Sequence, residues 1–200
     1  MELHCMTIPS SEMQSAWTQK WPFKDIVGNL PEQGKLIEIG PYLGKSTVSW
    51  AEEFKEANKQ WLIHTVDIFA GLSGKHWPEE VSQETIEFLN TLIISEADHL
   101  STFKRNIEGW DNITWEKKFF TKNYKPKDDY DVLFYDGLHE YLPCLEALNF
   151  WKDKVSWMII DDYGSEFEGT DRAVDEVVEQ GGFELEKMPI EIKPMAIIRT

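Results

Sequence analysis

The stretch Lys35-Leu36-Ile37-Glu38-Ile39-Gly40-Pro41-Tyr42-Leu43-Gly44-Lys45-Ser46 decides the fold. A short apolar run ends in a turn bounded by two glycines, and Val48, Ala51 and Phe54 then recur at helical spacing among Glu52, Glu53, Lys55 and Glu56, to about Ala57. Trp61 to Val66 is a second apolar run, of the kind buried on both faces of a parallel sheet, and it closes on Asp67 and Ile68. Strand, helix and strand imply a right-handed crossover. Glu38, Gly40, Pro41, Tyr42, Gly44 and Ser46 therefore surround bare backbone at a helix N-terminus, and Asp67 stands where ribose hydroxyls are held in nucleotide-type pockets.

The spacing selects among nucleotides. A dinucleotide fingerprint needs glycines where this chain has Tyr42 and Lys45. A phosphate loop needs one more residue than Gly40 to Ser46 supplies, because successive backbone N–H groups build its cradle. The remaining pattern, E-x-G-x-x-x-G with an acid closing the next strand, resembles motif I and its sequel in class I S-adenosylmethionine-dependent methyltransferases. An ordinary strand-to-helix turn is the bland alternative. A nucleotide triphosphatase is the first functional rival, because Gly44-Lys45-Ser46 and the Val132 to Asp136 run imitate its two motifs.

Two hundred residues fit one domain with a sizeable core, filled in part by nine tryptophans and eleven phenylalanines. A formal charge of −16 repels nucleic-acid backbone and anionic membranes, so neither is expected as a partner. Cys5 and Cys144 are too few for a disulfide framework or a thiolate cluster. The absence of a signal-like start or a long apolar run makes a soluble cytoplasmic protein the expectation. A homo-oligomer stays open.

Residues 1–30 read as an N-terminal helical segment, and 68–98 as an insertion that is either a candidate lid or a plain surface helix. A helix from His99 to Gly109 and a strand from Ile113 to Lys117 follow, then an aromatic and basic loop containing Phe120 and Thr121. Asp131 to Tyr135 and Trp157 to Ile160 are apolar strands separated by a helix over Pro143 to Trp151. Thr170 or Asp171 is the expected cap of a helix that stops at Gly181-Gly182, and Phe183 to Lys187 with Met195 to Arg199 read as a terminal hairpin. The predicted fold is α/β: a Rossmann-like, doubly wound, seven-stranded sheet, mostly parallel with one antiparallel strand from the C-terminal hairpin.

Asp136, Asp161 and Asp162 fall at the carboxyl ends of neighbouring strands about 4.8 Å apart, so their carboxylates are expected to converge on a cation. Oxygen ligands favour Mg²⁺, Mn²⁺ or Ca²⁺. The alternative is that Asp161 and Asp162 end a strand and satisfy its turn, while Asp136 touches a cofactor.

Asp136-Gly137-Leu138-His139-Glu140-Tyr141, Ile159-Ile160-Asp161-Asp162-Tyr163-Gly164 and Gly169-Thr170-Asp171-Arg172-Ala173-Val174-Asp175, with Asp67-Ile68-Phe69-Ala70-Gly71-Leu72, together resemble the macrocin/TylF-type sugar O-methyltransferases. They are also similar to the methyltransferase group whose fourth strand ends in D-G-x-H-x-Y. The resemblance implies S-adenosylmethionine as cofactor, a metal on Asp136, Asp161 and Asp162, and a small hydroxylated acceptor such as a sugar. It places the methionine end at Glu38, Gly40, Gly44 and Ser46, the ribose at Asp67 and the adenine beside Phe120 and Thr121. The family's proposed base falls at Leu138 here, which cannot accept a proton. His139 is the replacement candidate, and a loop-orienting histidine is its alternative. Leu138 also leaves room for a non-catalytic partner that kept the cofactor.

Overall fold

The computed structural model describes residues 7–13, 21–69, 96–165, 167–188 and 194–200. Its strands are β1 (Gln33–Ile39), β2 (Gln60–Asp67), β3 (Ile113–Lys117), β4 (Val132–Tyr135), β5 (Trp157–Asp161), β6 (Glu184–Lys187) and β7 (Met195–Arg199). The α-helices among these residues are α1 (Phe23–Asn29), α2 (Lys45–Glu56), α3 (Glu96–Asn106), α4 (Tyr141–Trp151) and α5 (Glu168–Gly181). A 3₁₀ turn spans Ser10–Glu12.

The strands form one seven-stranded sheet in the order β3-β2-β1-β4-β5-β7-β6. β1 pairs in parallel with β2 and β4, β2 with β3, and β4 with β5, while β7 runs antiparallel to β5 and β6. The order reverses at β1, so the crevice beyond the ends of β1 and β4 is the switch point where open α/β sheets take ligands.

Period-two alternation divides the core between the faces. Leu36, Val132, Phe134, Ile159 and Ile197 join one cluster with residues of α1 and α2. Ile37, Ile39, Leu133, Tyr135, Met158, Ile160 and Ile198 join the other with α4 and α5. Phe23 of α1 stacks on Trp50 of α2 with centroids 3.7 Å apart, and Phe54 stacks on Trp61 at 4.7 Å. The aromatic side chains thus dock the N-terminal helix onto the sheet.

The expected sheet, with β7 as its reversed strand, is observed. α3 begins three residues before the expected His99. The cap of α5 is Phe167 instead of Thr170 or Asp171. Asp171 is occupied elsewhere, with its Oδ1 accepting from the Gly164 N–H at 2.7 Å, and Thr170 is buried inside the first turn. Most of the insertion assigned to 68–98 and much of the N-terminal segment lie outside the described residues.

Candidate functional site

Sheet register sets the floor of the site. Ile39 is level with Val66 and Tyr135, and Tyr135 with Ile160. One step further along the strands come Gly40, Asp67, Asp136 and Asp161. Gly40 has φ +85° and donates its N–H to the Val66 carbonyl. A Cβ at Gly40 would fall 2.0 Å from the Asp136 carbonyl oxygen, so this position requires glycine. Gly44, with φ +87°, caps α2 and closes a turn by donating its N–H to the Pro41 carbonyl at 2.7 Å. Pro41 is buried and Tyr42 half-buried.

Glu38 points to the α2 side of β1, as strand alternation dictates for a residue two beyond Leu36. It is fully buried and accepts hydrogen bonds from the hydroxyls of Ser46, at 2.5 Å, and Thr47. Burial pushes its pKa up to about 7 against the pull of those bonds, and Asp67 adds to the rise. Glu38 and Ser46, expected to touch a cofactor, are engaged with each other behind the turn.

Asp67 ends β2 and is partly exposed. Desolvation raises its pKa, while the charge of His99 and backbone N–H groups pull it back. Its Oδ1 accepts from the Phe69 N–H at 2.6 Å. Ile68 is half-buried beside it. Phe120 packs on Tyr124, Phe150 and Trp151, and the Thr121 hydroxyl accepts from the Asn123 N–H at 3.2 Å.

On the other side of Gly40, Asp136, His139 and Asp162 have ligand atoms within 4.8 Å of one another. His139 Nε2 lies 3.2 Å from Asp162 Oδ2 and 3.9 Å from Asp136 Oδ1, and its ring stacks on Phe167 at 4.2 Å. Two residues of the expected set, Asp136 and Asp162, belong to this group with His139 as its third member, and Asp161 is not among them. Asp161 is the last residue of β5, buried and level with Met195 of β7. Asp162 leaves the strand with φ +57° and turns its carboxylate toward His139 instead. Leu138 is half-buried, and its carbonyl accepts from the Tyr135 hydroxyl at 2.8 Å.

Sequence reading missed the residues beneath the first turn. His99 Nε2 meets the Tyr42 carbonyl at 2.9 Å, and Asn106 Nδ2 donates to the Leu43 carbonyl at 2.8 Å. The signal was available: His99, Phe103 and Asn106 make an i, i+4, i+7 stripe in which two polar residues share a buried face.

A family profile described as a methyltransferase domain matches residues 37–163. Among solved structures, the chain is similar to the O-methyltransferase NovP, with TM-score 0.62 and 23% identity over 88% of this chain and 75% of that one. It is similar to an O-methyltransferase family protein from Burkholderia thailandensis, with TM-score 0.54 and 11% identity over 89% of this chain and 55% of that one. A precorrin-6y C5,15-methyltransferase from Geobacter metallireducens gives TM-score 0.51 and 15% identity over 88% and 84%. At these identities the likeness is one of fold. No curated protein matches the sequence.

Proposed function

We propose, from the premise that this chain belongs to the methyltransferase domain family, that it moves the methyl group of S-adenosylmethionine to a hydroxyl oxygen of a small acceptor. Asp136 carries the reading. Its backbone lies against Gly40 in the first turn, and its carboxylate groups with His139 and Asp162. One residue thus joins a place for the donor to a place for the acceptor.

S-adenosylmethionine supplies the electrophilic methyl. The residues fit it: Asp67 presents a partly exposed carboxyl group at the end of β2, next to the switch point, and suits the two hydroxyls of a ribose. The backbone of 40–44 receives the methionine end, and Ile68, Phe120 and Thr121 flank the adenine. Glu38 acts from behind by fixing Ser46 and Thr47 at the start of α2. A phosphate loop would give its serine hydroxyl to a metal ion, whereas Ser46 donates to Glu38, which counts against the triphosphatase reading.

The oxygen and nitrogen donors of Asp136, Asp162 and His139 fit a divalent cation such as Mg²⁺ or Mn²⁺. A cation held there would lower the pKa of an acceptor hydroxyl. We assign the cation to Asp136 and Asp162 and the hydroxyl proton to His139, whose ring Phe167 holds in place. A vicinal diol, such as that of a sugar, is the acceptor class that two carboxylates and a cation would orient best.

Calorimetric titration with S-adenosylhomocysteine tests the donor half. The wild type binds, and Asp67→Ala weakens binding by about tenfold or more, as the loss of hydrogen bonds to a charged group implies. Asp162→Asn keeps affinity within about threefold of wild type yet abolishes cation-dependent transfer to a diol panel. Full transfer in EDTA would remove the cation, and absence of S-adenosylhomocysteine binding would remove the whole reading.

A further inference from the structure

One face of α3 supports the first turn from below. His99 and Asn106 bind consecutive carbonyls of that turn, those of Tyr42 and Leu43. Between them Phe103 lies under Gly44, where an added Cβ would come within 3.1 Å of its ring. All three residues are buried. A carbonyl only accepts, so His99 carries a proton on Nε2.

The same histidine touches two strained residues. Tyr42 has φ +49° and Phe69 φ +42°, left-handed values that cost a bulky side chain about 1–3 kcal/mol and persist only where the surroundings enforce them. The His99 ring lies 5.6 Å from the Tyr42 ring and 5.4 Å, edge to face, from that of Phe69. The turn at Phe69 is what brings its N–H onto Asp67 Oδ1. His99 therefore bears on both loops that would meet the donor: 40–44 through a hydrogen bond, and 67–69 through ring contact.

We propose that His99 and Asn106 are positioning residues that hold these two loops in the shape that receives S-adenosylmethionine, with His99 coupling one loop to the other. This rests on the cofactor reading above. The role belongs to the hydrogen-bonding groups as well as to their bulk, because an apolar replacement would bury the Tyr42 or Leu43 carbonyl without a donor.

The test titrates S-adenosylhomocysteine into the full chain as wild type, His99→Phe, His99→Gln and Asn106→Leu. Absence of binding to wild type would defeat the cofactor reading, whereas the order among variants tests positioning. His99→Phe and Asn106→Leu are expected to bind about tenfold more weakly. In His99→Gln an amide can donate to the same carbonyl, and affinity is expected to return to within about threefold of wild type. A phenylalanine variant that binds like wild type, or a glutamine variant as weak as phenylalanine, overturns the inference. Should the variants fail to fold, the unmodified protein still answers. Its histidine-ring ¹H–¹⁵N spectrum is expected to show His99 as a slowly exchanging Nε2–H form, and a fast-exchanging or Nδ1–H-only ring overturns the proposal.

Discussion

Glu38 shows how one buried carboxylate ties the first turn to solution pH. Its folded pKa, about 7, lies above its ordinary value of 4.5, so the native protein holds a proton there that the unfolded chain releases. The resulting stabilisation is complete below pH 4.5 and is lost as pH rises to about 7, a difference of order 3 kcal/mol. Asp67, also raised, contributes with the same sign. Glu38→Gln, neutral throughout, is expected to lose most of that slope when urea unfolding is compared at pH 5 and pH 8. An unchanged difference between the two pH values would show that Glu38 is ionised in the native state. The sequence made Glu38 legible as a turn residue but not its task. The motif fixes its position, whereas its engagement with Ser46 and Thr47 depends on strand parity and on where α2 comes down. His99 was harder still, because its partners, Tyr42 and Phe69, are 57 and 30 residues away in sequence.

At the scale of elements, the strands that bound the site were readable because β1, β2, β4 and β5 are apolar runs that end in glycine or acid. Helix starts were less so. Thr170 and Asp171 have the chemistry of caps, but α5 begins earlier because its first turn must pack against the loop after β4. Gly169 records that contact, since a Cβ there would lie 2.4 Å from the His139 carbonyl oxygen and 2.7 Å from the Tyr141 amide nitrogen. Both neighbours are backbone, so neither can swing aside. Gly169→Ala is expected to push α5 and the 139–141 loop apart, costing about 1–3 kcal/mol in urea unfolding. Displacing His139 should cut methyl transfer while S-adenosylhomocysteine affinity stays near wild type, because the first turn lies on the far side of Asp136. Loss of both together would mean that the two pockets are not separable elements.

Across the whole molecule, 36 acidic residues face 20 basic ones, and five of those lysines, Lys117, Lys118, Lys122, Lys125 and Lys127, crowd the end of β3 and the loop after it. The rest of the surface is therefore more acidic than the total of −16 suggests. Some charges are locally answered, as in the pairs Lys127–Glu116 and Lys35–Asp128. Most of the excess acid has no basic counterpart available, and its mutual repulsion opposes the compact state. Raising salt from about 20 mM to about 0.5 M shortens the screening length from roughly 20 Å to about 4 Å, which relieves repulsion across the surface while sparing buried pairs. Each 1 kcal/mol so gained should lift the melting temperature by about 2–4 °C in a chain of this size. Scanning calorimetry in a chloride series is expected to show that rise, and to show it shrink when exposed acids outside the site, such as Glu32 and Glu179, are changed to glutamine. A midpoint that falls with salt would mean that the local ion pairs outweigh the repulsion.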